Sequence, residues 1–198
     1  TPEEVNNKLD YLFRQVATRA RAIQVLQAHE KEVEELIRAD LQSGQKTDLD
    51  RAITIITAIR TKTFNELLLT KLATETDDMS IYKICNAISA SEDPSVIPLL
   101  RTRVEKDPKY LAKCATLFEM PLQNKPADPL LLKLLDSEDA EIRYDAGQAV
   151  YDCIDPKLAA GAVRLAQGKE PKYRVMGAHL AGNLPPEAFQ TVRQDLLP

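Results

Sequence analysis

The feature that most limits what this chain can become is a period. An acidic residue recurs at Asp48, Asp78, Asp107, Asp139 and Glu170, in steps of 30, 29, 32 and 31 residues. The residues behind it keep the same register. Ile81, Tyr110, Ile142 and Tyr173 form one apolar column, and four residues later Cys85, Cys114, Ala146 and Gly177 form a column of small residues. Ile88, Leu117, Ala149 and Leu180 then restore bulk. A fixed spacing of about 30 residues, holding residue size as well as polarity, marks a repeat array whose units bury their apolar faces only against one another.

Each unit reads as a pair of helices. Between the helices that follow the acidic positions lie further segments with Leu, Ile or Val at helical spacing: Phe64–Leu72, Pro94–Val104, Asp128–Leu135, Pro156–Ala166 and Pro185–Leu197. Most open near Pro or Asp, both helix-start signals. No window alternates with the period of a strand. Twelve prolines against six glycines suit many short helices, and a 5% aromatic content without Trp suits cores of Leu, Ile, Val and Ala.

Residues 3–42 stand outside the period. Leu9, Leu12, Val16, Ile23, Leu26, Val33 and Ile37 step by three, four or seven through a stretch free of Gly and Pro, with Arg19, Glu30 and Asp40 interrupting the same stripe. This predicts one long helix, or two broken near Ala28-His29, ending at Ser43-Gly44. It serves either as an end cap on the array or as a coiled-coil seam that joins two copies of the chain. The expected organisation is an N-terminal helical segment over 1–45 and a repeat array over 46–198. The chain opens on Thr1 and closes on Leu197-Pro198 without a polar capping repeat, which reads as an excerpt of a longer protein.

The stretch from Leu130 to Val150 carries a resemblance. A Leu-rich helix ends in an acidic turn with Asp136 and Asp139, then Ile142 and Arg143 open a second helix followed by Ala146 and Ala149. The next unit repeats this as Glu170, Tyr173, Arg174, Gly177 and Leu180. This resembles the short bacterial HEAT repeat, of the phycobilin-lyase (PBS-lyase) and armadillo-like kind. The pattern is strongest over 128–182 and weakens before it, where Tyr82 and Leu111 stand in place of the Arg. The resemblance implies an all-α fold, a right-handed α-α superhelix of about five helix pairs behind the N-terminal segment. It also implies structural Asp-Arg pairs, Asp139 with Arg143 and Glu170 with Arg174, and a concave face lined by the second helix of each pair.

On that face the residues not directed at the core are expected to be exposed. Among them are Lys83, Lys109, Lys113, Tyr144, Asp145, Lys172, Val175 and His179. Lys83, Lys109, Lys113, Tyr144, Lys172 and His179 form a basic and aromatic strip on a chain of net charge −4, suited to a partner protein or an acidic peptide. The reading is therefore a non-catalytic binding scaffold, with no cofactor and no metal site expected. The alternatives are an enzyme or nucleic-acid-acting member of the same fold, of lyase or DNA glycosylase type, and an oligomerisation or spacer module working through residues 3–42. An acidic pI near 5.3 and the lack of Trp argue against a nucleic-acid groove. His29-Glu30 is a lone His-Glu pair and His179 stands apart, too few for a di-iron set. Cys85, Cys114 and Cys153 read as core residues rather than zinc ligands or bridges, since neighbouring helices pack about 8–10 Å apart and a disulfide needs Cα atoms within about 7 Å. No run approaches the roughly 18 apolar residues of a membrane span. No signal peptide is present, which favours the cytoplasm, with a processed or membrane-tethered exported protein as the alternative.

Overall fold

The structure is a computed structural model and describes residues 19–196. Among these residues there are thirteen α-helices and no strand. The chain divides at Asp93–Pro94 into two compact units.

The first unit holds α1 (Arg19–Ala28), α2 (Glu30–Gln42), α3 (Lys46–Ile59), α4 (Asn65–Thr74) and α5 (Asp78–Ala90). The expected break falls at His29, whose φ of −117° and ψ of 41° leave helical geometry. The expected stop also forms. Ser43 Oγ donates to the Asp40 carbonyl at 3.1 Å, and Gly44 turns the chain at φ +72°, a conformation open to glycine at little steric cost. The described part of the N-terminal segment packs on α3 and α4, so the expected boundary at 45/46 lies inside this unit. Residues 3–18 of that segment lie outside the described residues. Leu26, Val33, Ile37, Ile53, Ile56, Leu68, Leu72 and Ile84 make the core.

The second unit runs from α6 (Val96–Lys106) through a 3-10 turn (Pro108–Tyr110) to α7 (Leu111–Cys114) and α8 (Thr116–Leu122). Then come α9 (Pro129–Leu135), α10 (Ala140–Ala149), α11 (Leu158–Ala166), α12 (Pro171–Gly182) and α13 (Pro186–Val192). α9 pairs with α10 and α11 with α12, while α10 also packs against α7, α8 and α12. α9, α11 and α13 follow one another on the other side.

The period reappears as contacts. Within the first unit, Lys46 reaches Asp77 and Lys83 reaches Asp50, 31 and 33 residues apart. Within the second, Glu141 meets Lys172 and Tyr173, and Asn183 donates to the Tyr151 carbonyl, 31 to 32 residues apart. The small column explains how closely helices can pack. Cys85, Cys114, Ala146 and Gly177 are all buried, and Gly177 lies against the backbone of α11 at Ala162 and Ala166.

The acidic column does not act uniformly. Asp139 and Asp107 cap the helices they precede, accepting from backbone N–H groups. In the α5 repeat the cap is Asp77, one residue before Asp78, and it accepts from Ser80 N at 2.9 Å. Asp48 sits inside the first turn of α3, behind Gln45 at the cap. Glu170 holds the cap position of α12 without a side-chain bond to the helix.

Candidate functional site

The expected Asp-Arg pairs take another form. Arg143 Nη1 donates to the carbonyls of Ser137 and Glu138, at 2.6 and 3.0 Å, not to Asp139. Arg174 Nη1 does the same one repeat later, to Lys169 at 2.6 Å and Gly168 at 3.2 Å. The reason is local. The Asp139 carboxylate is taken up by the N–H groups of Glu141 and Ile142. Meanwhile the carbonyls of Ser137 and Glu138, in the turn between α9 and α10, and of Gly168 and Lys169, in the turn between α11 and α12, need donors. A guanidinium reaching back one turn satisfies them. The resemblance thus located two equivalent arginines, and the structure assigns them to the turn backbone.

The six strip residues fall into different situations. Lys83 lies in the first unit, with its ammonium 2.7 Å from Asp50 Oδ1. The other five belong to the second unit. Lys109 is exposed just past the Asp107 cap, and Lys113 is half-buried on α7. Tyr144, Lys172 and His179 stand on α10 and α12, and they come with partners the sequence did not announce. Lys172 Nζ lies 2.7 and 2.8 Å from the two oxygens of Glu141. The Tyr173 hydroxyl donates to Glu141 Oε1 at 2.8 Å. The ammonium also sits over two rings, 5.3 Å from the centroid of Tyr144 and 5.0 Å from that of Tyr173. The rings themselves meet edge to face at 5.9 Å. About two helical turns on, His179 stacks on Tyr151 at 3.5 Å and 12°, with Asn183 Nδ2 3.3 Å from its Nε2. Val175, 69% exposed, belongs to the outer side of α12 between these groups.

The electrostatics follow the geometry. The Lys172 ammonium and then the Tyr173 hydroxyl hold the Glu141 carboxyl below its ordinary range. Glu141 in return raises both Lys172 and Tyr173. Lys83 and Lys172 are therefore compensated cations, and the basic strip is less basic than its composition suggested.

Asp145 is the largest departure. Expected on the exposed strip, it is buried, with 8% of its surface accessible. No hydrogen-bond or ion-pair partner reaches its carboxylate among the described residues. The polar atoms there that are both sealed from solvent and without a partner are Asn65 Oδ1 and Arg143 Nε; the Asp145 oxygens keep a sliver of access. Burial first, then Glu141, push its pKa from 3.8 up to about 6. The folded chain holds this proton more tightly than the unfolded chain does. The stability it contributes is thus fully present below about pH 4 and is lost as pH rises through about 6. Asp145→Asn should stabilise the protein by about 1–2 kcal/mol at pH 7.5 and change it little at pH 4, a shift well under the roughly 3 kcal/mol that two pKa units represent, because the oxygens stay partly wet. Urea unfolding at the two pH values measures this, and equal effects at both would contradict it.

The three cysteines are buried core residues that form no disulfide. Burial, followed by the nearby carboxylates of Asp155, Asp152 and Asp128, pushes the Cys153 thiol up to about 11, far from the thiolate a nucleophile needs. No group of three or more His, Cys, Asp or Glu side chains is placed to hold a metal ion among the described residues. No helix there is long and apolar enough to cross a membrane. The first unit carries a cleft of about 280 Å³ lined by Leu26, Val33, Glu34, Ile59, Thr61, Thr63 and Phe64, where the Glu34 carboxylate accepts from Arg38 and the Thr61 hydroxyl donates to Thr63.

Compared with known proteins, the chain matches no family model, no curated protein and no solved structure.

Proposed function

We propose that this chain is a HEAT-like repeat protein that binds another protein through the outer surface of its second helices, centred on α10 and α12. The observation that carries the reading is the interlocked group of Glu141, Lys172, Tyr144 and Tyr173 beside exposed Val175 and the Tyr151–His179 stack. Aromatic side chains held in place by neighbours offer contact area at little entropic cost, as binding hot spots do. The group also sits on successive repeats, where stacked helix pairs in this architecture build extended binding surfaces. Internal pairing of Lys83 and Lys172 shifts the reading away from an acidic peptide and toward a partner with mixed apolar and charged contacts. The superhelical, right-handed form expected from the resemblance belongs to this proposal.

The test compares capture of partners by the full chain, by Val175→Glu, and by Ala160→Glu, which places the same charge on an exposed position of α11. The proposal expects Val175→Glu to lose a captured protein by at least about ten-fold, roughly 1.4 kcal/mol, while Ala160→Glu retains it. Equal capture by both variants would refute the α10–α12 face.

A further inference from the structure

Asp145 calls for an explanation that folding does not supply. It stands three residues beyond Ile142, in the register held by Ile84, Lys113 and Met176 in the other repeats. Ile84 and Met176 are buried and apolar, and Lys113 is half-buried. The fold accepts an aliphatic side chain there, yet this repeat carries a carboxylate with no partner. Burying such a group costs free energy that a hydrogen bond or a counter-ion would offset. Among the described residues the cation acting on it, Lys172, is committed to Glu141, while Glu141 and Asp139 add negative charge. Tyr144, the residue before it, contributes a ring to a cation-binding pair that already holds one ammonium.

Resting on the partner-binding reading above, we propose that Asp145 is the receptor for an arginine side chain of the partner, which enters beside Tyr144 and pairs with the buried carboxylate. A guanidinium matches the vacancy in charge, can donate two parallel hydrogen bonds to one carboxylate, and stacks on a tyrosine face. Pairing also removes the cost of the lone carboxylate, so the bound state gains what the free chain lacks.

The probes are N-acetylarginine methylamide, its neutral isostere N-acetylcitrulline methylamide, and N-acetylglutamate methylamide. Each is titrated into the ¹⁵N-labelled full chain while amide and tyrosine ring resonances are followed. The arginine probe should give saturable shifts centred on Tyr144, Asp145, Lys172 and Tyr173, and Asp145→Asn should weaken them at least about ten-fold. Asn keeps the shape and removes a destabilising charge, so loss of fold does not confuse the result. Equal shifts from the citrulline probe, or an unchanged response in Asp145→Asn, overturn the proposal. If only the glutamate probe moves these resonances, the face binds but the arginine assignment is wrong. If no probe moves them, the arginine assignment is again wrong, and the face itself is judged by the Val175→Glu capture.

Discussion

Gly177→Ala should destabilise the second unit by about 3 kcal/mol or more, the upper end of what overpacking costs. A Cβ at this position would run into the backbone of α11, at Ala166 N and within 2.6 Å of the Ala162 carbonyl oxygen. Backbone atoms inside a packed helix cannot rotate aside, so α11 and α12 must separate. The contrast with Gly147 is instructive. There the obstacle is Met176 Cγ at 2.8 Å, the middle of a flexible side chain, and Gly147→Ala should cost much less. Gly182→Ala meets nothing within 4 Å and should be neutral or slightly stabilising. Thermal unfolding of the three variants measures the series. In a chain of this size the Gly177 change corresponds to about 6–12 °C in Tm. Equal melting of Gly177→Ala and Gly182→Ala would contradict the close approach of α11 and α12.

Arg51→Met should cost the first unit about 2–4 kcal/mol, because it strands a buried charge. Asp40, 5% exposed near the end of α2, accepts from Arg51 Nε at 2.7 Å and Nη2 at 2.6 Å, a bidentate pair bridging to α3. Removing the arginine leaves the carboxylate without its main counter-ion inside the protein. Arg51→Met combined with Asp40→Leu should recover most of the loss, since an apolar pair of similar size needs no desolvated charge. Urea unfolding of the two single variants and the double variant gives the coupling directly. Additive losses would mean that the two side chains act independently.

How much of this was legible in the sequence depends on the range over which each feature is determined. Helix positions were legible because start and stop signals are local: Asp128 and Asp139 do cap α9 and α10, and Ser43-Gly44 does end α2. The small column was legible because size recurs in register, and Cys85, Cys114, Ala146 and Gly177 are all buried. Pairing was harder. Arg143 and the Asp139 carboxylate sit four residues apart and invite a salt bridge, but the N–H groups of the first helical turn take the carboxylate and the turn carbonyls take the guanidinium. The Glu141–Lys172 contact spans 31 residues and follows from the period only if the same faces of α10 and α12 meet. The burial of Asp145 was not legible: its column holds Ile84 and Met176 but also Lys113, so a charge in that register does not by itself mark a buried site.

The claim that the α10–α12 face is a binding surface is tested most directly by photo-crosslinking from defined positions. A benzophenone amino acid placed at Val175, and separately at Ala160, is irradiated in the presence of a partner captured by the full chain. The adduct is then mapped by mass spectrometry. The account predicts a discrete adduct from Val175 that disappears when Tyr144 is also changed to Ala, and none from Ala160. An adduct of equal yield from both positions, or one indifferent to Tyr144→Ala, would contradict it.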